Sequence, residues 1–135
     1  MEKITVKAAT ENLDIINEMI DRVLDENGCP DKARMQIDVA VEEIFVNIAS
    51  YAYPTGNGTA TVSIEILDDP QRAEITFIDS GIPYDPLKKP DPDITLSVEE
   101  RQIGGLGIYM VKKSMDDVSY SYSEGQNHFT IVKDF

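Results

Sequence analysis

Glu43 and Asn47 stand four residues apart in the stretch EEIFVN, a spacing that stacks two side chains on one helical face, a turn apart. If that flank borders a cleft, a carboxylate and an amide oxygen directed along one line suit a general base beside a metal-binding amide. A pair of solvated residues on a helix surface explains the same spacing. Asp79 ends the apolar run AEITFI and opens the segment DSGIPYDP. A fixed acceptor at a sheet end can take a hydrogen bond from an exocyclic amine such as that of adenine. Gly81 has no side chain and would let a flat ring approach the backbone. The plainer reading is a strand-to-turn Asp-Ser-Gly. Gly104, Gly105, Leu106 and Gly107 form GGLG at the start of a helical pattern. Free amides at a helix N-terminus, unshielded by side chains, attract anions, and the same glycines also serve as a hinge.

These residues need elements to hold them. EKITVKA alternates and predicts a first strand. TENLDIINEMIDRVLDENG predicts a helix with Leu13, Ile16, Ile20, Val23 and Leu24 on one stripe, Thr10 as its N-cap and Gly28 as its stop. A longer helix follows from Pro30 to Pro54, with Ile37, Val41, Ile44 and Ile48 as its core stripe. TATVSIEIL and RAEITFID read as paired strands around DDPQ, the second burying Ile75, Phe77 and Ile78. Residues 81 to 103 form a long connection rich in Pro and Asp, of the kind that is usually functional or mobile. A helix from GGLG and two closing strands around GQ complete the order β-α-α-β-β-loop-α-β-β. That order implies an α/β two-layer sandwich, with helices on one face of a mainly antiparallel sheet, in one domain spanning residues 1 to 135.

Bulk composition narrows the chemistry. Cys29 is the only cysteine and His128 the only histidine. An internal disulfide is thereby excluded, and thiolate or multi-histidine metal sites lose their ligands. Cys29 reads as a small residue near a turn, and His128 as a plain strand residue. The formal net charge of −13 repels nucleic-acid phosphates, and no basic stripe offsets it. It does not forbid nucleotide binding, where a few amides and one metal ion dominate. No segment is long enough to cross a bilayer and no signal-peptide core opens the chain, so a soluble, cytoplasmic protein without a membrane role is expected.

Taken together, EEIFVN, DSGIPYDP and GGLGIYMVKKSMDDVSY resemble the three boxes of the GHKL (Bergerat-fold) ATP-binding domains. They are most similar to the bacterial anti-sigma-factor serine/threonine kinase branch, of the RsbW kind. Glu43 and Asn47 match its first box. Asp79, Gly81, Pro83, Tyr84, Asp85 and Pro86 match the second. Gly104, Gly105 and Gly107 match the third, and Met115, Asp116 and Val118 its closing helix. The order of the boxes, and the closing EGQNHFTIVK, extend the likeness over nearly the whole chain.

The resemblance implies a kinase that binds ATP and Mg2+. Asn47 would be the metal ligand and Glu43 the catalytic base. Asp79, Gly81 and Pro83 would form the adenine end of the site. Gly104, Gly105, Leu106 and Gly107 would hold phosphates under a nucleotide lid at about residues 85 to 103, with Arg101 reaching the γ-phosphate. The implied substrate is a STAS-domain anti-anti-sigma protein, the second partner a sigma factor, and the assembly a homodimer. Tyr51 departs from the pattern, where many relatives carry His; it is expected near the nucleotide or in the core at the helix end. Two alternatives remain at this stage. One is a non-catalytic switch module responsive to nucleotide. The other is an ATP-hydrolysing or histidine-kinase-type fragment, disfavoured because no phospho-acceptor helix with a histidine lies upstream.

Overall fold

The structure, a computed structural model, describes residues 1–88 and 105–135, without the side chains of Gly105 and Leu106. Among the described residues the strands are β1 (Glu2–Lys7), β2 (Thr59–Leu67), β3 (Arg72–Asp79), β4 (Asp117–Ser123) and β5 (Gln126–Asp134). The helices are α1 (Leu13–Glu26), α2 (Asp31–Tyr51) and α3 (Gly105–Ser114). The strands form one sheet in the order β1-β2-β3-β5-β4, every pairing antiparallel. The two-layer α/β sandwich read from the element order is therefore the fold.

Strand pleating decides which residues meet the helices. Val62 and Ile64 of β2, Ile75 and Phe77 of β3, and Phe129 and Ile131 of β5 are buried on one face. Ile16, Ile20 and Leu24 of α1, Ile37, Val41 and Phe45 of α2, and Val111 and Met115 of α3 close over them. Side chains alternate across a strand, so Ile78 lies on the opposite face, half-buried, against its partner His128. The expected burial of Ile78 with Ile75 and Phe77 is corrected by that alternation. His128 is a strand residue, as read from the sequence.

Local signals end the elements. Gly28 adopts φ +74. Its N–H donates to the Asp25 carbonyl at 3.2 Å, and the Cys29 N–H donates to the Leu24 carbonyl at 3.0 Å, a Schellman closure of α1. Cys29 is buried behind this turn, and burial pushes its thiol up. Thr10 is not the N-cap. It opens a 3-10 turn, Thr10–Asn12, and the side chain of Asn12 donates instead to the Lys7 carbonyl at 2.9 Å.

The seam between α1 and α2 holds an acid pair that periodicity does not reveal. Asn17 Oδ1, Asp21 Oδ1 and Asp38 Oδ1 are shielded from solvent and unpartnered among the described residues. Asp21 and Asp38 face each other, an arrangement that becomes a hydrogen bond only when one of them is protonated. Burial pushes Asp38 up to about 7 from 3.8; the hydrogen bond and charge of Asp21 add to this, and Arg34 opposes it. Between those values the folded chain holds a proton that the unfolded chain has released. Stability from this group is full below about pH 4 and lost as pH rises towards 7. Allowing for solvent screening of a half-exposed side chain, the loss is on the order of 1 to 2 kcal/mol. Urea midpoints at about pH 5 and about pH 8 check this: the wild type falls over that interval, and Asp38→Asn, whose amide can donate to Asp21, flattens the fall.

Candidate active site

The C-terminal half of α2 and the end of β3 form the two walls of one cleft. α2 stops because Pro54 follows closely and disfavours helical backbone before it; the N–H of its capping residue Ala52 still donates to the Ile48 carbonyl at 3.0 Å. The chain leaving α2 then clamps the chain leaving β3. The Ile82 N–H donates to the Ala52 carbonyl at 2.9 Å. The Tyr53 hydroxyl accepts from the Ser80 N–H at 2.8 Å and donates to the Thr59 carbonyl at 2.6 Å. Gly58 lies directly under the Tyr53 ring, where a Cβ would overlap it. Gly81 lies against Ala52, and a Cβ there would overlap the Ala52 carbonyl oxygen. The need for glycine at 81 thus comes from the approach of α2. That requirement stands apart from the expectation that Gly81 clears space for a flat ring.

Between these walls is a cleft that opens to solvent. Ile44, Asn47, Ile48 and Tyr51 line it from α2 and Ala52 from its cap, with Asp79, Ile82, Tyr84 and Pro86 from β3 and the segment after it. Ile108 of α3, Tyr120 of β4, and Asn127 and Phe129 of β5 complete the lining. The lining is mainly apolar and aromatic, with Asn47, Asp79 and Asn127 as its amide and carboxylate groups. The rim is apolar as well: Tyr51 is 58% exposed, Ile82 50% and Tyr84 43%. Tyr51 therefore belongs to the cleft rim and not to the core.

The predicted residues do not all meet in one place. Asn47 and Asp79 face the cleft together. Glu43, one turn before Asn47, is half-buried and packs against α3; a Cβ on Gly107 would overlap its Oε2. A carboxylate that close to the first turn of a helix is favoured by the helix dipole. Gly107 is thus the residue whose missing side chain admits Glu43. Gly81 and Pro83 shape the loop but do not line the cleft, whereas their neighbours Ile82 and Tyr84 do. Gly105 and Leu106 open α3. Gly104, Arg101 and most of the expected lid at 85 to 103 lie outside the described residues.

Asp79 is 6% exposed, and its Oδ1 accepts from the Gly81 N–H at 2.9 Å and from the Asn127 side chain at 2.9 Å. Asn127, also 6% exposed, is a site residue that sequence reasoning missed. It stands directly opposite Asp79 in the β3–β5 register, so the signal existed only in strand pairing. Its oxygen accepts from the Tyr120 hydroxyl and the Tyr84 N–H, and burial pushes the Tyr120 phenol up.

Comparison with known proteins identifies the family. Residues 6–133 match the family model of the histidine kinase-like ATPase domain. The chain is 31% identical over 130 residues to a serine-protein kinase RsbW of Bacillus cereus, covering 92% of this chain and 80% of that one. It is 26% identical over 101 residues to the serine/threonine-protein kinase BtrW of Bordetella bronchiseptica, covering 75% and 70%. Among solved structures, the SiaB–SiaC complex of Pseudomonas aeruginosa gives a TM-score of 0.64 at 15% identity, covering 100% of this chain and 90% of that one. The RsbU and RsbW domains of a Mycobacterium tuberculosis protein also give 0.64, at 13% identity; this chain spans 32% of that longer one. The chain belongs to the histidine kinase-like ATPase family. Its relation to named serine-protein kinases over most of its length makes it a protein serine/threonine kinase of the RsbW type.

Proposed function

We propose that this kinase binds Mg·ATP in the α2–β3 cleft and transfers the γ-phosphoryl group to a serine or threonine of a STAS-class anti-anti-sigma protein. The observation that carries the site is the convergence of Asn47 and Asp79 on one cleft, with Glu43 beside the first turn of α3. Asp79 would accept from the adenine amine between the mainly apolar walls. Amides at the start of α3 would hold phosphate oxygens. Glu43 would orient the attacking hydroxyl and take its proton as the oxygen bonds to the γ-phosphorus and ADP leaves. Arg101 and Gly104 are assigned to the phosphates, and residues 85 to 103 to a lid, from the motif match alone.

Among the described residues no three acids or histidines gather as a cation site. That suits magnesium, which takes one or two protein oxygens and otherwise phosphates and water. Asn47, facing the cleft, is the residue placed to hold it. When bound, the ion would neutralise charge on the phosphates. A sigma factor as second partner, a homodimer and a cytoplasmic location complete the proposal as a partner switch. No helix among the described residues is long and apolar enough to cross a membrane.

Thermal unfolding with nucleotide tests the site. At about a hundredfold excess over its dissociation constant, ATP with magnesium stabilises the wild type by about 2.7 kcal/mol, which raises the midpoint by several degrees. Asn47→Ala loses the magnesium-dependent part. Mass spectrometry of a STAS protein incubated with the kinase and Mg·ATP then reads the added phosphate on a serine or threonine. Nucleotide binding with no phosphate on any STAS protein encoded in the same genome would refute the assigned substrate.

A further inference from the structure

Asn127 uses every hydrogen-bonding position of its side chain. The amide nitrogen donates to Asp79 Oδ1 at 2.9 Å and to the Ile82 carbonyl at 2.9 Å. The oxygen accepts from the Tyr84 N–H at 3.2 Å and from the Tyr120 hydroxyl. Turning the amide over would set its oxygen against a carboxylate and a carbonyl, and its NH2 against an N–H, so the partners fix its orientation. Asp79 Oδ1 also receives the Gly81 N–H. Among the described residues that oxygen is filled, and Oδ2 is the acceptor left for whatever occupies the cleft.

We propose that Asn127 is the positioning residue that sets the cleft's preference for a 6-amino over a 6-oxo purine nucleotide. It holds Asp79 as a pure acceptor and ties that acceptor to the Ile82–Tyr84 backbone. A 6-amino group donates to such an acceptor, whereas a 6-oxo group meets it oxygen to oxygen. The inference rests on the adenine-nucleotide reading above and adds to it a residue that determines the choice of base. Replacing the amide by a carboxyl of the same shape removes the donor. Two carboxyl groups in contact share a proton taken from solvent, so the Asp79 end would then offer a donor as well as an acceptor.

Isothermal titration with ADP and inosine diphosphate, which differ at that position of the base, reads the effect without turnover. The wild type is expected to prefer ADP by about tenfold or more. Asn127→Asp is expected to narrow the ratio to about threefold or less, by weakening ADP while inosine diphosphate stays within about threefold. A residue that only holds the fold would weaken both equally, and that result overturns the proposal. If Asn127→Asp does not fold, Asn127→Ala removes the donor to Asp79 Oδ1 without adding a second carboxyl group. A lowered ratio supports the proposal, and an unchanged one overturns it. Equal wild-type affinity for both nucleotides refutes the base preference and leaves the nucleotide site standing. Binding of neither refutes both.

Discussion

Glu43→Gln leaves ADP affinity within about twofold of wild type and lowers phosphoryl transfer by about a hundredfold to ten-thousandfold, the range by which a positioned general base contributes. The reason is geometric. Glu43 does not line the cleft; its carboxylate lies against Gly107, in the first turn of α3. Glutamine keeps the shape and fills the same gap, so the packing of α2 on α3 survives. What disappears is the acceptor for the hydroxyl proton. The loss should fall on kcat and spare the nucleotide KM, because an interaction made only in the transition state has been removed. Single-turnover transfer to the partner protein, alongside ADP titration, separates the two. A rate within about twofold of wild type would remove Glu43 from the chemistry.

Gly81→Ala has the second largest effect, and it strikes stability first. The added Cβ would lie 2.7 Å from the carbonyl carbon of Ala52 and 2.7 Å from its Cβ, and would overlap the carbonyl oxygen. These are atoms at the end of a helix and cannot swing aside like the tip of a long side chain. Relief requires the loop to move away, breaking the Ile82-to-Ala52 and Gly81-to-Asp79 hydrogen bonds. Overpacking of this kind costs about 2 to 3 kcal/mol, which lowers the melting midpoint by roughly 10 °C. Nucleotide affinity falls with it, because Asp79 loses a bond that fixes its carboxylate. A melting curve superimposable on wild type would show that the loop and α2 are not packed this closely.

The sheet and its helical cover could be read from periodicity and spacing, because each depends on short-range pattern, whereas the placing of Asn47 and Asp79 in one site came from the resemblance of the three boxes. What escaped depended on contacts distant in sequence. Asn127 in QNHF looks like any strand residue until β3 and β5 are set in register, when it falls opposite Asp79. Asp21 and Asp38 look like exposed acids on two helices, and only the packing of those helices brings them together. Gly81 also accommodates a neighbour on another element, Ala52, which its own segment does not reveal. Thr10 carries the chemistry of a cap, but a 3-10 turn intervenes before α1 begins.

The same helix carries Glu43 and Asn47 and, through Ala52, anchors the loop behind Asp79. α2 is therefore a gauge: its rise of about 1.5 Å per residue sets the span from Asn47 to Ala52 at roughly 7.5 Å. A single residue inserted between them would lengthen the gauge and rotate one end against the other by about 100°. Asn47 and the loop that carries Asp79 would then no longer face the same cleft, even with every side chain retained. The β2–β3 turn around Asp69 and the outward positions of α2, such as Met35 and Val39, which are exposed, lie off this span. Insertion scanning along α2 is expected to abolish nucleotide binding from residue 43 to 52 and to spare it at the outward-facing start of the helix.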